Sequence, residues 1–300
     1  MGHGISIRFA MHGFRVFLHG RSADSLHNAY IRINKTLELL NDLNVVTHNQ
    51  KTDILNNIKP TTNLKECVSV SDLIIESIKE DIEQKQILFN EISDLSKPTS
   101  ILTSNTSSLM PKMLFAKIPN KKNVAVTHYI NPAVLVPLVE IVKHEETTED
   151  TILRLTDILK ATGSQPIILE KETPGFVTSR LQSALLREAL WLVENEIASA
   201  SDVDKAISHG LGRRWASAGI FEVLELAGWD LLSIIATNLF PELSKSDTPK
   251  LLNEKVKTNE IGIKTKKGFY EWTDDSIYEL RHKIAKGLVE IQNWDLQKSP

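Results

Sequence analysis

Asp72-Leu73-Ile74-Ile75-Glu76-Ser77-Ile78, a helical stretch from Asp81 to Leu95, and Ser100-Ile101-Leu102-Thr103-Ser104 decide the fold. Two short apolar β-type runs flank one helix, and strands joined this way pair in parallel. Outward toward the C-terminus, Asn123 to His128 and Pro137 to Val142 read as further strands. Thr148 to Thr162 reads as a helix that ends at Gly163 and leads into the strand Pro166-Ile167-Ile168-Leu169-Glu170. Toward the N-terminus, Ile5 to Met11 looks helical and stops at Gly13, and Arg15 to His19 looks like a strand. A long helix follows Ser22, with Leu26, Tyr30, Ile33, Leu37 and Leu40 on one stripe. Strands and helices alternate to about residue 172, which predicts an α/β, mostly parallel sheet covered on both faces.

After Thr173-Pro174-Gly175 the pattern changes. Leu181, Leu185, Ala189 and Leu192, then Val203 and Ile207, then Phe221 to Phe240 recur at helical period. The chain therefore divides into an α/β domain at 1–173 and an all-α domain at 174–300.

The bulk composition narrows the function. Of 300 residues, 41% are hydrophobic and 24% charged, a globular balance, and a net charge of −3 offers no polybasic surface for nucleic acid. Cys67 is the only cysteine, which fits a reducing, cytoplasmic setting. Glu222, Glu225 and Asp230 interrupt the most apolar C-terminal stretch, so no membrane partner is expected. His3, His12, His19 and His27 are not grouped with acids, so no metal site is expected.

Chemistry concentrates in Thr103-Ser104-Asn105-Thr106-Ser107-Ser108, His128-Tyr129-Ile130-Asn131-Pro132 and Val139-Glu140. In a parallel sheet the carboxyl ends of strands share the edge where ligands bind. A carboxylate within an apolar strand is costly unless paired, and His128 is the obvious partner for Glu140. A carboxylate-backed imidazole beside a hydroxyl can move a proton near neutral pH. The bland alternative is a satisfied core histidine with an unrelated glutamate; the three-part arrangement favours chemistry. Acyl transfer by a Ser/His/Glu set is the weaker option, because no G-x-S-x-G elbow surrounds Ser107. Met1-Gly2-His3-Gly4-Ile5, a helix, Gly13 and a strand form the back half of a dinucleotide-binding unit, with Gly2 in place of the third glycine.

These motifs, with Ile75-Glu76-Ser77-Ile78-Lys79-Glu80-Asp81, Thr173-Pro174-Gly175-Phe176 and Lys266-Lys267-Gly268-Phe269-Tyr270, resemble the 3-hydroxyacyl-CoA dehydrogenase family along nearly the whole chain. The resemblance implies a Rossmann domain, a helical dimerisation domain, a homodimer, and NAD-dependent interconversion of a 3-hydroxy and a 3-oxo group, as in fatty acid metabolism. By the same resemblance His128 is the general base, Glu140 orients it, and Ser107 binds the substrate oxygen and the nicotinamide side. Gly2, Gly4, Glu80, Lys85, Asn131 and Lys264 match cofactor-contacting positions.

Three departures modify this expectation. The opening strand and two glycines are absent, which predicts a true start upstream of Met1. Gly20-Arg21-Ser22 stands where the family usually carries an acid for the ribose, so NADP(H) becomes a candidate cofactor. Arg21 then either accepts a 2′-phosphate or only caps the surface beside adenine. Ser179 replaces the usual substrate-binding Asn, and residues 22–68 lack a Lys-rich CoA clasp. A non-CoA 3-hydroxy acid, or carnitine, is therefore the alternative substrate, and a crystallin-like scaffold without catalysis the alternative of a different class. Trp191, Trp215 and Trp229 read as core or dimer interface.

Overall fold

The computed structural model describes residues 1–297. The chain forms two compact units, Met1–Ser179 with Ala285–Gln292, and Arg180–Ile284 with the residues from Asn293 onward. The first unit runs α1 (Gly2–Met11), β1 (Val16–His19), α2 (Ala23–Asp42), α3 (His48–Asn56), β2 (Ile58–Thr61), α4 (Leu64–Val68) and β3 (Leu73–Glu76). It continues α5 (Ile82–Leu95), β4 (Ile101–Ser104), α6 (Pro111–Leu114), β5 (Val124–Tyr129), β6 (Leu138–Lys143), α7 (Glu149–Ala161) and β7 (Gln165–Leu169).

Five strands make one sheet in the order β3-β4-β5-β6-β7. All neighbours are parallel except β5 and β6, which are antiparallel. The link from Tyr129 to Leu138 is too short for a crossover helix, so β6 must turn straight back along β5. β1 and β2 form a separate parallel pair. Sequence alone anticipates neither this division nor β2, whose Pro60 masks an edge strand. An apolar cleft of about 260 Å³ lies between β1 and β3, lined by the consecutive residues Arg15–His19 and Leu73–Ile78 and by Ile5 and Phe9 of α1.

Local signals explain the helices. Ser22 and Ser25 form a reciprocal capping box at the start of α2, Thr47 and Gln50 do the same for α3, and Asp81 caps α5. Within α2 the buried stripe is Ile33, Leu37 and Leu40, while Tyr30 at its N-terminal end is 40% exposed, unlike the stripe read from spacing. The sheet's core joins Phe89, Leu102, Phe115, Val124, Val126 and Phe176. Buried Arg8 crosses the α1 interface and donates to the carbonyls of Ala133 (2.6 Å), Val136 (2.9 Å) and Thr162 (3.1 Å). It thereby fixes the loop between β5 and β6.

The second unit is helical: α8 (Thr178–Glu194, whose first two residues belong to the first unit), α9 (Ala200–Ala206), α10 (Gly212–Trp215), α11 (Ile220–Glu225), α12 (Trp229–Leu239), α13 (Lys250–Lys257) and α14 (Asp274–Gln297). The first unit extends through Ser179, and α14 returns residues 285–292 to it. Two contacts account for this. The amides of Val177 and Thr178 bond to Glu140, and Ala285 is buried with Leu37 and Leu40. No helix among the described residues is long and apolar enough to cross a membrane.

Candidate active site

His128 and Glu140 sit directly opposite each other on the antiparallel pair β5 and β6. Cross-strand partners project from the same face, which converts a separation of twelve residues into contact. The imidazole Nδ1 lies 2.7 Å from Glu140 Oε2. A carboxylate only accepts, so Nδ1 carries a proton, and in the neutral ring Nε2 is then the free base. Phe176 packs beside the ring, with centroids 5.6 Å apart. It follows Gly175 in a tight turn where both residues have positive φ, 78° and 51°, and the first of these suits glycine.

Glu140 is wholly buried yet amply partnered. Its Oε1 accepts from the backbone N–H of Val177 (2.8 Å) and of Thr178 (3.0 Å). Its Oε2 accepts from the Thr178 hydroxyl (2.6 Å) as well as from the imidazole. Burial pushes the carboxyl pKa up, but the bonds from His128, Thr178 and Val177 outweigh it and hold the group below its ordinary value. Glu140 is therefore held as a carboxylate against the imidazole.

The hydroxyl loop after β4 borders the same sheet edge. Asn105 Oδ1 accepts from the Tyr129 N–H at 2.8 Å, tying the loop to the strand that carries His128. The Thr106 hydroxyl donates to Glu80, as do the Ser108 hydroxyl (3.0 Å) and the Ser107 N–H (3.3 Å). For Glu80, burial raises the pKa, while the bond from Thr106 and the nearby Lys85 ammonium bring it below the ordinary carboxylate range. Ser107 is exposed at the loop's tip.

Behind the loop lies a second buried ion pair. Lys85, 1% exposed, donates to both oxygens of Glu76 at 2.9 Å and lies 3.4 Å from Glu80. Ser104 adds a 2.6 Å bond to Glu76. Glu80, in contact with both Lys85 and the hydroxyl loop, links the ammonium to the loop.

The remaining expected residues fall as follows. Asn131 is exposed just beyond β5, before a cis bond to Pro132. Ser179 is half-buried, one residue beyond Thr178. Gly2 and Gly4 open α1, Gly2 against Ser77 and Gly4 against Ala133. Arg21 is exposed at the turn after β1. A Cβ on Gly20 would come within 2.6 Å of the Ser25 hydroxyl and 2.9 Å of Leu26, so an acid at this position requires those side chains to shift. The Ser22 hydroxyl is engaged as the α2 cap. Lys264 belongs to the second unit, on an exposed turn. Thr178 and Glu76 escape the sequence reading, since only the fold shows what each touches.

A 3-hydroxyacyl-CoA dehydrogenase NAD-binding domain matches residues 1–173, and the C-terminal domain of the same enzymes matches 175–272. The chain belongs to the 3-hydroxyacyl-CoA dehydrogenase family. It is 31% identical to L-carnitine dehydrogenase of Oceanobacillus iheyensis, over 97% of this chain and 94% of that one. It is 36% identical to the human lambda-crystallin homolog, over 78% of this chain and 73% of that protein. It is 28% identical to a 5-formyl-3-hydroxy-2-methylpyridine 4-carboxylate 5-dehydrogenase of Mesorhizobium japonicum, over 97% of this chain and 94% of the other. A solved structure of a dehydrogenase acting on the same pyridine, described as an NAD⁺-dependent dismutase, superposes with a TM-score of 0.91 at 27% identity, covering 100% of this chain and 96% of that one.

The protein is thus an NAD-dependent oxidoreductase on a Rossmann-like α/β domain followed by a helical domain. Its residues fit the cofactor. The first turn of α1 has no side-chain cap, Gly2 lacks a Cβ there, and the adjacent Ser77 hydroxyl is buried without a partner. Free amides and an unspent hydroxyl at one helix N-terminus suit a pyrophosphate.

Proposed function

We propose that this chain interconverts the C3 hydroxyl and C3 ketone of a 3-hydroxyacyl substrate, with His128 as the proton acceptor. The His128–Glu140 pair carries this reading: an imidazole with Nδ1 held at 2.7 Å by a buried, ionised carboxylate keeps Nε2 free for an alcohol proton. Bound NAD supplies the hydride acceptor. As the C–H pair leaves C3, the O–H proton passes to His128 Nε2 and the imidazolium is stabilised by Glu140. The Ser107 hydroxyl donates to the C3 oxygen, and Ser179 contributes a shorter polar arm than an amide. Asn131, Gly2, Gly4 and Glu80 contact the cofactor, with Lys85 bracing Glu80; Lys264 is carried as a further contact by family analogy.

A second substrate reading has its own support. The two relatives aligned over 97% of this chain are named for carnitine and a pyridine carboxylate, and neither name contains a thioester. Ser179 and the absence of a Lys-rich segment in 22–68 point the same way. The exposed turn Gly20-Arg21-Ser22, without the ribose-binding acid, leaves NADP(H) as an alternative cofactor. In the second unit Phe221, Leu226, Ile234 and Phe240 are 71%, 90%, 63% and 67% exposed, an apolar surface that supports a homodimer. A cytoplasmic location and a place in fatty acid metabolism belong to the same proposal.

One panel tests it. Initial rates are measured with 3-hydroxybutyryl-CoA, free 3-hydroxybutyrate, carnitine and gulonate, each with NAD⁺ and NADP⁺. Turnover of the thioester supports the leading reading, and turnover confined to a free acid or carnitine moves the substrate to the second. No turnover together with no NADH binding leaves a non-catalytic scaffold.

A further inference from the structure

Glu140 presents two unequal oxygens. Oε1 is held by two backbone N–H groups, those of Val177 and Thr178, which any residue but proline would supply at these positions. Oε2 is shared between the imidazole at 2.7 Å and the Thr178 hydroxyl at 2.6 Å. The Thr178 hydroxyl is therefore the one donor to Glu140, apart from His128 itself, that a side-chain change can remove. Glu140 has no exposed surface, so solvent does not take the place of a lost donor without rearrangement.

We infer that Thr178 is a positioning residue that sets how much negative charge Glu140 Oε2 offers to His128. This rests on the redox reading of the pair. A donated hydrogen bond draws charge from the oxygen that accepts it, so the hydroxyl competes with the imidazole for the same lone pairs. With the hydroxyl in place, His128 gives up its proton more easily; without it, the carboxylate holds the imidazolium more tightly. The Oε1 amides keep the carboxylate anchored in either case, which separates this effect from loss of the fold.

From β5 and β6 the titratable groups are His128, Tyr129, Glu140 and Lys143, and Lys143 is engaged by Glu149 and Glu170. Glu76, Glu80 and Lys85, on the β3 and β4 side, bond one another and the hydroxyl loop. Phe176, packed on the imidazole, is neutral. Tyr129, the next residue on β5, points the other way in the strand, and burial pushes its hydroxyl pKa well up.

The experiment compares Thr178→Val, which is nearly isosteric, with Thr178→Ser, which restores the hydroxyl. kcat/KM for alcohol oxidation is followed against pH, and the ring nitrogens of His128 are titrated by ¹⁵N NMR without substrate. In Thr178→Val the acid limb and the ring titration both move to higher pH, by up to about one pH unit, so rates on that limb fall by up to about tenfold. KM and NADH affinity stay within about twofold of the parent, and Thr178→Ser returns both curves toward it. An unmoved limb and ring titration in Thr178→Val, with only a lower melting temperature, would overturn the inference, as would Thr178→Ser behaving like Thr178→Val. Should Thr178→Val fail to fold, Thr178→Ala undergoes the same two measurements. Should no substrate be turned over, the ring titration still decides the role of Thr178, while the redox reading fails separately in the rate panel.

Discussion

Replacing Glu140 by Gln isolates the role of its charge, because shape is nearly kept while acceptor capacity is halved. The amide oxygen must face the N–H groups of Val177 and Thr178, since an NH₂ there would oppose two donors. That places the NH₂ at the Oε2 position, facing the Thr178 hydroxyl and His128 Nδ1. The hydroxyl can rotate and accept. The imidazole can accept only by moving its proton from Nδ1 to Nε2, the atom that must be empty to take the substrate proton. Loss of imidazolium stabilisation adds to the wrong tautomer, and together they lower kcat by roughly 10³- to 10⁴-fold. The fold loses only about 1–3 kcal/mol, because most hydrogen bonds can re-form. Steady-state kinetics above pH 7, with urea unfolding of the same sample, measure both quantities. A Glu140→Gln enzyme within about threefold of wild-type kcat would refute the assigned tautomer and with it the role of His128.

Three further outcomes follow from the geometry. His128→Asn removes the acceptor without touching the cofactor region, so oxidation falls by about 10²- to 10⁴-fold while NADH binding, followed by fluorescence, stays unchanged; weakened NADH binding would contradict the placement. Lys85→Met strands Glu76 in the interior and destabilises the fold by about 3–5 kcal/mol, whereas the double variant with Glu76→Leu recovers much of that in urea melts; an additive double variant would count against the pairing. Stability also depends on pH through Glu140. Its folded pKa lies below the ordinary value of 4.5, so its contribution is complete above that pH and is lost as pH falls through the lower folded value. Unfolding curves of wild type and Glu140→Gln should therefore converge on acidification, and parallel curves would show that the carboxylate is not stabilised by folding.

Much of the fold was legible because its signals are local. The β3-α5-β4 unit, α7 with its end near Gly163, and the change at Thr173-Pro174-Gly175 all rest on composition and period within short windows. The His128–Glu140 pairing was legible for a different reason: a carboxylate in an apolar strand demands a partner, and few candidates were near. What stayed hidden depends on contacts distant in sequence. Pro60 disguised β2, and the separation of β1 and β2 from the main sheet is a matter of pairing, not of pattern. Glu76 lies within an apolar run, and only the fold closes Lys85 and Ser104 on it. Nothing near Thr178 in sequence announces its bond to Glu140. Lys85, too, shows its partner only in the fold, which encloses it against Glu76.

The cleft between β1 and β3 has a consequence for motion. In a parallel strand alternate peptide groups face opposite neighbours, so half of the amides of Val16–His19 and Leu73–Glu76 point toward the gap. Those amides should trade their protons for deuterium sooner than the ones locked into β4 and β5. A deuterium map would then show a soft seam down the middle of the α/β unit, next to the helix that offers its first turn to a dinucleotide.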